Sequence, residues 1–138
     1  MDDTALFRLI GSISRQATSD VNQQVRSLGL SNNLFIYLMR IVEHEDLTQA
    51  ELVHLTRIDK TTLSRALSQL EGREYIVRVP DAHDRKFKNV RPTGKAKSVY
   101  PQIKALEQGY VERAMSGLTA GQRQELHVIL NQIDLNLQ

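Results

Sequence analysis

The stretch from Thr48 to Lys97, TQAELVHLTRIDKTTLSRALSQLEGREYIVRVPDAHDRKFKNVRPTGKAK, constrains this chain more than any other part. It changes periodicity partway, from helical to strand-like, and each change carries its own punctuation. Thr48-x-x-Glu51 is a capping-box pattern, in which each side chain satisfies the other's orphan backbone N–H. Asp59 offers the N-cap of a second helix predicted to run to about Glu71, with Gly72 as its stop. On that second helix Leu63, Ala66, Leu67 and Leu70 fall on one arc. The opposite arc carries Thr61, Arg65 and Ser68, flanked by Thr62, Ser64 and Gln69. A helix that merely faces water is usually richer in Glu and Lys. Short donors and acceptors around one guanidinium suit a major groove, where Arg can reach a guanine edge.

Beyond Gly72, Tyr75-Ile76-Val77-Arg78-Val79 is a β-rich run stopped by Pro80. Asp81 to Lys86 reads as a loop, and Phe87-Lys88-Asn89-Val90-Arg91 as the returning strand, ended by Pro92. Helix, tight turn, helix and basic hairpin therefore follow one another. Charge tracks the same segment. Between His54 and Lys97 there are 11 Lys/Arg against 5 Asp/Glu, and elsewhere 7 against 11. A basic centre in an acidic frame implies a localised polyanion-binding face.

The flanks are helical. Leu6, Ile10, Ile13, Ala17, Val21, Val25 and Leu28 repeat at helical spacing from about Asp3 to Leu28, with Gly29 as a stop. Ser31 can cap a helix from Leu34 to about Val42, and His44-Glu45-Asp46 then forms a polar link. Thr93 can cap a helix through Lys95, Val99, Ile103, Leu106 and Tyr110, which Pro101 must kink or restart. Thr119-x-x-Gln122, a further capping box, opens a last helix presenting Leu126, Ile129, Leu130, Ile133 and Leu137. Both terminal stripes run nearly to the chain ends, further than a core of this size covers. Leu6, Ile10, Ile13, Leu126, Leu130, Ile133 and Leu137 are therefore expected to pack across a two-fold axis in a homodimer.

At 138 residues, with 41% hydrophobic and 25% charged, a single globular domain is expected. No apolar run approaches the roughly 18–20 residues that span a bilayer, and the acidic start MDDTALFRLIGS does not read as an export signal. A cytoplasmic protein without a membrane partner is expected. The absence of cysteine excludes disulfides and thiolate metal sites within this chain. His44, His54, His83 and His127 show no metal-pair spacing, and no nucleophile–base set or Gly-rich phosphate loop appears. Neither a metal, a cofactor nor catalysis is expected.

This order of elements resembles the MarR (multiple-antibiotic-resistance regulator) family of bacterial transcription factors over nearly the whole chain. The resemblance is most specific at Thr48-Gln-Ala-Glu-Leu, at Asp59-Lys-Thr-Thr-Leu-Ser-Arg-Ala-Leu-x-x-Leu-Glu, and at Pro80-Asp-x-x-Asp-Arg-Lys leading to Arg91-x-Thr. It implies a mainly α (α+β) winged helix-turn-helix: a DNA-binding lobe over about 31–92, with 1–28 and 93–138 as dimerisation helices. It also implies a homodimeric regulator, a repressor by expectation, on a pseudo-palindromic duplex. Lys60, Thr61, Thr62, Ser64, Arg65 and Ser68 would face the major groove. Arg85 would enter the minor groove, oriented by Asp84, with Lys86, Lys88 and Arg91 neutralising phosphates. Similar proteins bind small anionic aromatic effectors, for which Arg15 and Tyr37 could supply a cation and a ring. Three positions depart from the family pattern: Glu74 where Gly is frequent, Val79 before the wing, and Pro92 before Thr93. Gly72 is expected to take over the helix-stopping role from position 74. A second reading is a winged-helix module that has lost DNA binding and docks proteins; the basic segment with Arg65 and Arg85 argues against it.

Overall fold

The structure is a computed structural model that describes residues 2–86 and 88–138. Six α-helices and a three-stranded antiparallel sheet follow in the order α1 (Asp3–Gln24), α2 (Leu34–Glu43), β1 (Leu47–Thr48), α3 (Gln49–Thr56), α4 (Lys60–Gly72), β2 (Ile76–Pro80), β3 (Lys88–Pro92), α5 (Gly94–Ala114) and α6 (Ala120–Asn136). This is the mainly α winged helix-turn-helix that the sequence implies. The chain divides into two compact units, one ending at Leu106 and the other starting at Glu107. None of the described helices is long and apolar enough to cross a membrane.

The first unit is built around α2, whose residues Leu34, Phe35, Tyr37, Leu38, Met39 and Ile41 are all buried. Val21 and Val25 from α1, Leu52 from α3, and Leu63, Leu67 and Leu70 from α4 join this core. Ile76 and Val90 close it from the sheet, and Ala96 and Ile103 from α5. All four residues of the predicted apolar arc on α4 are buried, and Thr61, Arg65 and Ser68 opposite them are exposed.

Hydrogen-bonding detail moves several expected boundaries. Asp2 caps α1 through Ala5 N–H at 2.7 Å, and after Gln24 the chain tightens into a 3₁₀ turn at Arg26–Leu28. Asn33, not Ser31, occupies the N-cap of α2, in a left-handed conformation (φ 67°) and without a side-chain cap. Its side chain is used elsewhere: Asn22 Nδ2 donates to Asn33 Oδ1 (2.8 Å) and Asn33 N–H donates to Asn22 Oδ1 (2.9 Å). That reciprocal pair pins α1 to the entry of α2.

The end of α4 is a correction. Gly72 stays inside the helix, and Glu74 takes the left-handed position with φ 64°. Tyr75 N–H reaches Leu70 O (2.9 Å) and Glu74 N–H reaches Glu71 O (3.0 Å), the paired bonds of a Schellman motif. Tyr75 is therefore consumed in ending the helix, and the strand begins one residue later, at Ile76. The Tyr75 ring is buried, and its hydroxyl donates to Leu28 O at 2.5 Å.

The sheet order is β1-β3-β2. The two-residue strand β1, absent from the sequence reading, pairs Leu47 with Val90 and Thr48 with Asn89. In the hairpin, Ile76 pairs with Pro92 and Pro80 with Lys88, so both prolines lie within the paired ends. Phe87, assigned to the returning strand, lies outside the described residues. Thr93 Oγ1 accepts from Ala96 N–H (3.3 Å) at the start of α5, as its sequence position implies. Helix α5 continues through Pro101 without a restart. In the second unit, α6 opens on the Thr119–Gln122 capping box and buries none of its residues.

A non-glycine residue in the left-handed region costs about 1 kcal/mol. Glu74→Gly is therefore expected to stabilise the protein by about that amount, raising the thermal midpoint by about 4 °C. Thermal unfolding followed by circular dichroism measures it, and an unchanged or lower midpoint would show that Glu74 carries no strain.

Candidate nucleic-acid interface

The exposed face of α4 is oriented by its first turn. Asp59 Oδ1 accepts from Thr62 N–H (2.9 Å) and Oδ2 from the Thr62 hydroxyl (2.7 Å). These bonds hold the Asp59 carboxyl below the usual carboxylate range. They also give Thr62 a local duty, because its hydroxyl proton is committed to the cap. Thr61 and Arg65 remain exposed, Ser64 is half-buried, and among the described residues no ion pair engages Lys60 or Arg65. Ser68 is tied to the hairpin, its Oγ accepting from Arg78 Nη2 at 3.3 Å. Arg78 Nε also lies 3.9 Å from Glu71 Oε2, so this half-buried arginine joins β2 to α4. Its position in the β-rich run gives no sign of this role.

Lys60 at the start of α4 and Lys86 and Lys88 from the wing line one cleft of about 540 Å³. Thr48, Gln49, Ala50 and Val53 of β1 and α3 form its remaining wall. Sequence spacing does not reveal this convergence, since β3 must first fold back beside β1. The wing loop is shaped by two aspartates. Asp81 Oδ2 accepts from His83 N–H (3.2 Å) and Asp84 N–H (3.0 Å). The Asp84 N–H bond first, then the Asn89 side chain and the His83 N–H bond, lower the Asp81 carboxyl. Asp84 Oδ1 accepts from Lys86 N–H (3.0 Å). Among the described residues, then, Asp84 shapes the backbone around Arg85 and makes no pair with its guanidinium. Arg85, Lys86 and Lys88 are exposed.

Arg91, expected among the phosphate-neutralising cations, is also engaged within the protein. Its Nε donates to Asp46 Oδ1 at 3.0 Å, and the buried Asn89 donates its Nδ2 to the same oxygen at 2.8 Å. The Asp46 carboxyl is lowered by the Asn89 bond first and the Arg91 bond second. Asp46 and Asn89 were invisible as a pair in sequence because 43 positions separate them.

Arg15 and Tyr37, considered together for an effector, line two clefts that meet at Asn32 and Asn33. Arg15 lines a polar cleft of about 690 Å³ with Thr18, Asn22, Arg26 and Asn32. Tyr37 is 2% exposed and lines the adjoining recess beside Thr62, Arg65 and Gln69. Burial, then the Asp59 charge, raises its hydroxyl pKa. Of the apolar stripes on the terminal helices, Leu6, Ile13, Leu130 and Leu137 are exposed, and Ile10, Leu126 and Ile133 are half-buried. Among the described residues, no group of three or more acidic or histidine side chains could hold a metal ion.

Residues 28–86 match the MarR family model. The chain is 32% identical to the uncharacterized HTH-type transcriptional regulator YybA of Bacillus subtilis, over 96% of this chain and 89% of that protein. The chain belongs to the MarR family. Its members are DNA-binding transcriptional regulators. The chain is also 26% identical to the HTH-type transcriptional repressor NicR of Pseudomonas putida, over 90% of this chain and 81% of that one. Among solved structures, a MarR family transcriptional regulator from Listeria monocytogenes, in complex with a 26mer DNA, superposes with a TM-score of 0.92. That similarity covers 99% of this chain and 90% of the other, at 34% identity.

Asp59→Ala is expected to lower the thermal midpoint at neutral pH, because two bonds at the N-terminus of α4 are lost. The folded carboxyl lies below its unfolded value of about 3.9. Its stabilisation is therefore complete above that value and fades as pH falls through the lower folded one. The gap between wild type and variant should close in the same acid range. A gap that persists at pH 2 would rule out the cap as its source.

Proposed function

We propose that this MarR protein is a homodimeric, sequence-specific repressor of a pseudo-palindromic operator, with half-sites about one helical turn apart. Residues of about 31–92 form the DNA-binding lobe, and 1–28 and 93–138 supply the dimerisation helices. The observation that carries the reading is the cleft where Lys60, Lys86 and Lys88 converge beside the exposed Thr61 and Arg65 face of α4. Three cations from two elements at one concavity match a phosphodiester strand passing between a helix in the major groove and a wing in the minor groove. The relative solved with a 26mer DNA and the repressor NicR support the same partner and sign of regulation.

Within this site, Arg65 reads a guanine edge and Thr61 and Ser64 contact bases or phosphates. Arg85 enters the minor groove, and Lys60, Lys86 and Lys88 neutralise phosphates. Thr62 and Ser68 act mainly by holding α4 in place, given their bonds to Asp59 and Arg78. The dimer is supported by Leu6 and Ile13 on α1 and, separately, by Leu130 on α6 and Leu137 at its C-cap, all exposed. Monomeric proteins rarely leave large contiguous apolar patches bare. Arg15 and Tyr37 line adjoining clefts that share Asn32 and Asn33, where a small anionic aromatic effector would meet a cation and a ring.

Arg65→Ala is expected to remove about 1–3 kcal/mol of discrimination between operator and mutated operator. Lys88→Ala should weaken operator and random duplex alike and reduce the slope of log K against log salt by about one. Mobility-shift titrations at several salt concentrations separate the two, and equal effects of both variants on both duplexes would overturn this division of roles. Light scattering at micromolar concentration is expected to return the mass of a dimer; a monomer mass would remove the two-fold operator from the proposal.

A further inference from the structure

The end of α2 and the link to β1 place three carboxylates in four residues, and each holds a different partner. Glu43 Oε2 accepts from the Tyr100 hydroxyl at 2.8 Å and lies 3.9 Å from Lys104 Nζ, both on α5. Glu45 Oε1 lies 3.2 Å from Lys97 Nζ, also on α5. Asp46 turns the other way, onto Asn89 and Arg91 of β3. The link is thus anchored to α5 on one side while Asp46 grips the central strand of the wing.

The grip on Asn89 matters more than the one on Arg91. The Asp46–Arg91 pair is about half exposed, and such pairs are weak in water. Asn89, by contrast, is 2% exposed, and its Oδ1 is buried without a partner. Asp46 therefore accepts, at 2.8 Å, the hydrogen bond of a buried side-chain amide that also acts on the Asp81 carboxyl, and a buried amide that loses such a bond is costly to keep in place. Asn89 sits opposite Val79 in the hairpin and Thr48 in β1, at the root of the loop that carries Arg85. We propose that Asp46 is a positioning residue for DNA binding, setting where the wing and Arg85 stand relative to α4. It also keeps Arg91 out of the phosphate-binding set. The inference rests on the DNA reading given above and adds to it a residue that touches no DNA.

The test is a double-mutant cycle on operator affinity. Asp46→Ala is expected to bind operator about tenfold more weakly, the scale of one lost ordered contact. In the Arg85→Ala background the same change should cost little, because Asp46 acts through the wing. Asp46→Asn keeps a carbonyl acceptor at the same place, and should restore most of the affinity. It also removes the charge that holds Arg91, so its affinity for random duplex should rise. Circular dichroism checks that each variant is folded, and Asp46→Asn keeps the test decisive if the alanine variant is not. Additive losses in the cycle, or an Asp46→Asn variant as weak as Asp46→Ala, would overturn the positioning role. Should Arg65→Ala and Arg85→Ala lose affinity while both Asp46 variants bind as wild type, only the inference about Asp46 falls. A wild-type protein without operator preference overturns this inference together with the DNA reading.

Discussion

Helix α2 is wrapped so closely that Ile41 has no exposed surface and Leu34, Tyr37 and Leu38 have almost none, and the other elements of the first unit take their places from it. Each such side chain contributes about 1.5–3 kcal/mol on burial, so a short helix of this kind anchors far more than its length implies. Helix α4 rests its Leu63, Leu67 and Leu70 arc in the same core, which leaves Thr61 and Arg65 facing out. The outward face of α4 is thus fixed by its opposite face.

Around that core, the short polar contacts sort the cations into two groups. Arg73, Arg78, Arg91, Lys95 and Lys97 bond to backbone carbonyls, hydroxyls or carboxylates of the protein itself. Lys60, Arg65, Arg85, Lys86 and Lys88 do not, among the described residues. A local excess of positive charge in sequence therefore overstates the charge offered to a partner. The usable part is concentrated on the first turns of α4 and the wing.

Much of this was legible from residue pattern. Capping boxes at Thr48 and Thr119 and the N-cap at Asp59 signal their helices by local chemistry, and each is present. The apolar arc of α4 follows from its 3.6-residue period. What sequence could not show depends on distant pairing. Strand β1 is two residues long and has no strand pattern of its own; it exists because β3 passes beside it. Asp46 and Asn89, or Lys60 and Lys88, meet only after the hairpin returns. The misassigned stop at Gly72 has a different cause. The two backbone bonds to Leu70 and Glu71 fix the left-handed position at 74 whatever residue stands there, and they overrode the local preference for glycine.

Thr48 serves three neighbours at once. It pairs with Asn89 in the sheet, caps α3 through Glu51, and borders the lysine cleft. A slip of the wing by one residue would turn Asn89 and Val90 to the wrong faces and pull the capping threonine away from α3. The helix pair and the hairpin are consequently joined through one residue. Local opening of the wing strands must disturb the start of α3, so their amide protons should leave the protected state together.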